Sequence, residues 1–102
     1  MPVNNIDYST MTATSAAKVL STAASPVMPD RAKGMILTVE TDKVRWRDDG
    51  TAPTTTEGHL LNNGDVLTFD SWTNGVNWRS VLKAIQFIHV TNDAALKISW
   101  YD

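Results

Sequence analysis

The chain has no cysteine. That excludes thiol catalysis, disulfide staples and zinc sites built on thiolates. Histidine is scarce, with His59 and His89 alone, and neither stands at a metal-ligand spacing such as H-x-x-x-H. Glu40 and Glu57 are the only glutamates, so a paired general acid and base would have to draw on aspartates, and no spacing points to such a pair. Gly-rich phosphate loops, G-x-S-x-G and H-E-x-x-H are all missing. No apolar run approaches the roughly 20 residues of a membrane span. The net charge of −2 lacks the basic excess of a dedicated nucleic-acid binder. These absences point to a protein without enzymatic function that needs no cofactor and no metal, and that engages neither nucleic acid nor membrane.

What is present is a length of 102 residues, 42% hydrophobic and 20% charged. That is one domain with a feasible but modest core, and too apolar for wholesale disorder. The two ends differ. Residues 1–30 carry only Asp7, Lys18 and Asp30 as charges, and Ser, Thr and Ala dominate from Ser9 to Ser25. The start lacks basic residues leading into an apolar core, so a secretory signal is not expected. Ser15–Leu20 reads as a short helix capped by Thr14 or Ser15 and anchored by Val19 and Leu20, and Pro26 and Pro29 break any regular structure beyond it. The expectation is an extended, low-complexity arm over 1–30, ordered on assembly, ahead of a β domain over 31–102. Val19 and Leu20 are then candidate interface residues.

Residues 31–102 alternate with period two in short runs separated by turns. Met35, Leu37 and Val39 share one face. Val44 and Trp46 share another, with Arg45 and Arg47 opposite. Asp48-Asp49-Gly50-Thr51 is strong turn chemistry, and Thr41-Asp42 is a weaker turn that suggests a hairpin. His59–Leu61 is a short edge segment, Asn62-Asn63-Gly64-Asp65 a turn, and Val66–Asp70 a strand. Leu82–Val90, apolar on both faces, suits a central strand. Leu96, Ile98 and Trp100 point inward on the last strand, with Lys97, Ser99 and Tyr101 outward. The fold class is all-β, a small antiparallel β-sandwich or jelly-roll-like barrel.

Candidate binding features are modest. Asp48 and Asp49 lack the alternating oxygen ligands of a calcium loop and read as turn formers. Arg45, Arg47 and Lys43 around Trp46 resemble an RNA-binding face in composition, but Asp42, Asp48 and Asp49 cancel the field and Trp46 shares the core parity of Val44. Trp72, Trp78 and Arg79, in the connection Ser71–Arg79, have the composition enriched at protein interfaces. With Tyr101, the two Trp could instead form a sugar-stacking platform.

Val44-Arg45-Trp46-Arg47-Asp48-Asp49-Gly50-Thr51-Ala52-Pro53-Thr54 resembles a recurrent V-R-[aromatic]-R-x-D-G-T-x-P-T pattern of small virion structural proteins of tailed bacteriophages. The strand from Ala32 to Thr41, Gly58-His59-Leu60-Leu61, the Gly64-Asp65 turn, Ile85–Ile88 and the closing Leu96–Tyr101 strand agree with it. The resemblance covers about residues 32–102, and the Ser71–Arg79 connection is longer than the pattern. It implies a non-enzymatic β-sandwich subunit of the virion, assembled in the host cytoplasm. The expected role is a capsid decoration or cement protein that bridges neighbouring major capsid protein subunits or other virion proteins, itself a homo-oligomer (a trimer or ring). A collar, head–tail or tail component is the alternative, and a carbohydrate-binding module a more distant one.

Overall fold

The computed structural model describes residues 4–70 and 82–102. The expectations for Trp72, Trp78 and Arg79 lie outside the described residues. Eight strands are described: β1 (Asn5–Ala13), β2 (Lys18–Val19), β3 (Gly34–Glu40), β4 (Val44–Arg47), β5 (His59–Leu61), β6 (Val66–Asp70), β7 (Gln86–His89) and β8 (Ala94–Tyr101). One helical turn, α1 (Leu20–Ala23), comes directly after β2. The strands form two antiparallel four-stranded sheets, ordered β1-β8-β3-β6 and β2-β7-β4-β5.

The two sheets share one core. Leu96, Ile98 and Trp100 of β8 and Leu37 and Val39 of β3 meet Val44 of β4 and Phe87 of β7, all almost wholly shielded from water. The inward alternation expected for β3, β4 and β8 is the alternation observed, because cross-strand partners in a pleated sheet share a face. Leu67 and Phe69 of β6, opposite Leu37 and Met35 of β3, pack against the same cluster. β7 lies between β2 and β4, as its two apolar faces predict: Phe87 and Ile88 are both buried.

Residues 5–30 do not form a separate arm. β1 pairs with β8 along almost its whole length, from Asn5↔Tyr101 to Ala13↔Ala94, and places Ser9, Met11 and Ala13 inward. The Ser/Thr/Ala composition hides a strand because the apolar cover of this part of the core comes mainly from Leu96, Ile98 and Trp100 of β8, beside which β1 lies. Leu20 is fully buried, which removes it as an interface candidate; Val19 is half-buried. The helix expected over 15–20 is instead β2 paired to β7, then α1, with Leu20 N–H donating to the Ile85 carbonyl at 2.9 Å.

β3 and β4 do not form a hairpin. Both edges of β3 are taken by β6 and β8, so the chain crosses to the other sheet at Thr41, whose φ is 82°. Asp42 secures this corner. It accepts from Lys43 N–H at 2.7 Å and Asn92 N–H at 3.1 Å, joining it to the turn before β8. The expected strand over 82–90 shortens to β7, with residues 82–84 helical and Leu82 and Ile85 still fully buried.

Candidate interaction site

The residues that carry the sequence pattern lie on β4, between β7 and β5 of the second sheet, and in the loop that leads on to β5. β4 sends Val44 inward and Trp46 against the core, and turns Arg45 and Arg47 to the outer side. Trp46 meets Phe69 of the other sheet edge-on, with centroids 5.5 Å apart, and lies 4.6 Å from His59 on β5. Its Nε1 is buried without a hydrogen-bond partner among the described residues. Trp46 is therefore part of the link between the sheets.

Arg45 does not face solvent as a free cation. Its Nε donates to the Thr55 carbonyl at 3.0 Å and its guanidinium to the Gly58 carbonyl at 2.9 Å. These two bonds fold the 48–58 loop back along β4. Gly58 has φ 135°, and a Cβ there would stand 3.1 Å from the Trp46 carbonyl oxygen, so the close return of the loop needs glycine. Within the loop, Thr54 Oγ1 accepts from the N–H groups of Thr56 and Glu57, while Thr54 N–H donates to the Glu57 carbonyl. Such hydroxyl turns replace ladder bonds with local ones.

Arg47 grips Asp49 through both Nε and a terminal nitrogen, and Asp49 also accepts from Thr51 N–H. The Arg47 guanidinium, then the Thr51 amide, hold the Asp49 carboxyl below its ordinary value; Asp49 in turn raises Arg47. Arg47, Asp48, Asp49, Glu57, Gly58 and His59 border an open cleft of about 340 Å³. Two carboxylates, a third on Glu57 and one guanidinium make a mixed-charge surface. Among the described residues no group of three or more His, Asp or Glu is placed to hold a metal ion. No helix there is long and apolar enough to cross a membrane.

No family model, curated protein or solved structure matches this chain. Geometry alone places the remaining site candidates. Tyr101 is half-buried on the outer side of the first sheet, between Asn5 of β1 and Gly34 of β3. It is on a different sheet from the Arg47 cleft. His89 contacts Asp93 at 3.0 Å across the β7–β8 turn, a structural use of the side chain. Sequence reasoning missed Ser9. It is the one polar residue fully buried among the described residues, and it accepts from Trp100 Nε1 at 2.8 Å. Its position two residues before Met11, at core parity, was the available signal.

The acid response depends on Asp42 and Asp49. Asp42 is lowered first by the Lys43 amide and then by Asn92, as Asp49 is by Arg47. A carboxylate lowered in the folded state stabilises the fold above its unfolded value and loses that contribution as pH falls through its folded value. Stability is therefore expected to be flat from neutral pH to about 5 and to decline below about 4. Urea midpoints measured across that range check it. In Asp49→Asn, the Arg47 Hε resonance should no longer titrate with acid.

Proposed function

We propose that this chain is a non-enzymatic structural protein of a tailed-phage particle, a decoration or cement subunit that binds across neighbouring capsid subunits. The observation that carries the reading is the strand order. β1-β8-β3-β6 against β2-β7-β4-β5 is the order of an eight-stranded jelly roll, in which most successive strands cross between sheets and only β4 and β5 pair as sequence neighbours. Jelly rolls recur in viral capsid proteins and in lectins. Fold alone does not assign function, so the resemblance of residues 44–54 to virion proteins supplies the second support. Those residues form one unit here: a strand, an Arg45-anchored loop and a mixed-charge edge.

A subunit of this size gains little from any single contact. Its hold on a particle comes from interface area repeated over many copies. The Arg45 anchor matters because a loop already ordered before docking loses less entropy on binding. The test is quantitative mass spectrometry of purified virions, taking the molar ratio of this chain to the major capsid protein. A ratio from one-to-one to one-to-a-few is expected. A ratio near one to tens would move the protein to the collar, head–tail joint or tail. Absence from the particle, with a specific hit on a glycan array, would replace the reading with the carbohydrate-binding one.

A further inference from the structure

The outer face of the β1-β8-β3-β6 sheet alternates large and small side chains in rows. Three of the exposed large hydrophobic residues lie on it: Tyr8 at 52%, Ile36 at 40% and Val66 at 58% exposure. The registers set the rows. Tyr8, Ser99, Ile36 and Thr68 form one row across the four strands, and Thr10, Lys97, Thr38 and Val66 form the next. Glu40, opposite Ala95, begins a third. Within these three rows, Lys97 and Glu40 are the charged side chains.

We propose that this face docks on the same face of a second copy of the chain, about a two-fold axis running along the strands between β8 and β3. Such an axis lays β8 of one copy over β3 of the other and β1 over β6. In these rows each large apolar side chain then meets a small hydroxyl residue: Tyr8 over Thr68, Ile36 over Ser99, Val66 over Thr10. Lys97 lies over Thr38, one pleat from the Glu40 of the second copy, and the two-fold makes that pair twice. A two-fold interface requires such self-complementarity. Aligned face-to-face stacking about 10 Å apart is an established way for twisted sheets to pack. A heterologous partner would have no reason to match this alternation row by row.

The size of the face sets the strength. With strands about 4.8 Å apart and residues rising about 3.3 Å, the paired block covers about 400 Å² per copy, or about 800 Å² in total. That is below a standard stable interface, so the contact is weak, with a dissociation constant no tighter than about 10 μM. The proposal is independent of the virion reading, since copies absent from any particle would still pair in solution.

Sedimentation equilibrium of the full chain from about 10 μM to about 1 mM tests it. Dimer is expected to accumulate across that range. Lys97→Glu alone, or Glu40→Lys alone, turns two attractive pairs into two like-charge pairs and should weaken dimerisation about tenfold. The double reversal should recover wild-type association to within about threefold. Ile36→Lys should leave a monomer whose circular dichroism is unchanged. A wild-type chain that stays monomeric throughout overturns the proposal, as does association indifferent to all four variants.

Discussion

Removing residues 1–30 is expected to unfold the protein. Met11, Leu20 and Met28 are buried in the common core, with Ala13 and Ala24 beside them. Burial of each large apolar side chain stabilises by about 1.5–3 kcal/mol. Three of them approach the net stability of a small domain, about 5–15 kcal/mol. The deletion also strips β8 of the partner it pairs with from Ala94 to Tyr101, and uncovers one side of Leu96, Ile98 and Trp100. A naked central strand of that length is an aggregation site. The truncated chain should show no cooperative thermal transition and no near-ultraviolet dichroism from Trp100. Adding a peptide of residues 4–30 should restore both, since the two fragments together hold every strand of the β1-β8-β3-β6 sheet and fold on association. A truncated chain that melts cooperatively on its own would mean that β1 is an accessory strand.

β1 is also where local sequence and final structure diverge most. The alternation of β3, β6 and β8 is written in Met, Leu, Val, Ile and Phe, whose burial has only one solution. In β1 the fully buried set is Ser9, Met11 and Ala13, with a single large apolar residue, and Ile6, before the register shift, adds only partial cover. Burial there is decided by what lies opposite, and that is set about 90 residues away in β8. Local composition carries no record of it. The β3–β4 corner fails for a related reason. Thr41-Asp42 is compatible with a hairpin, and only the occupation of both β3 edges by β6 and β8 sends β4 to the other sheet.

The candidate site was legible as chemistry but not as geometry. The turn Asp48-Asp49-Gly50 and the inward parity of Trp46 could be read directly, because both depend on residues close in sequence. The role of Arg45 could not. A strand-face arginine usually lies in solvent, whereas here two loop carbonyls ten and thirteen residues on capture it. The docking face was invisible for the same reason: its alternation of large and small exists only across strands, once register is known.

Ser9→Ala is expected to destabilise the fold by about 2 kcal/mol, lowering Tm by roughly 8–16 °C. Ser9 Oγ, itself buried, joins two hydrogen bonds, one in the core and one reaching toward the surface. It accepts from Trp100 Nε1 at 2.8 Å and donates to the Pro26 carbonyl at 2.6 Å. Alanine fills nearly the same space, so no large cavity forms and the loss is polar. It leaves the Trp100 indole N–H orphaned in the core, whereas water can reach the carbonyl of the exposed Pro26, and an unsatisfied buried group costs about 1–3 kcal/mol. The hydroxyl thereby joins β1 and β8 to the segment that returns from α1, which also bridges Thr10 to Ser25 on the outer edge of β1. A double-mutant cycle separates this from general damage. In a Trp100→Phe background the orphaned donor is gone, so the Ser9→Ala penalty should shrink by about 1 kcal/mol or more. Thr12→Ala, on the exposed side of the same strand, should change stability by less than about 0.5 kcal/mol. If Ser9→Ala matched that control, the hydroxyl would be a passenger, and β1 would be held by Met11, Leu20 and the backbone ladder alone.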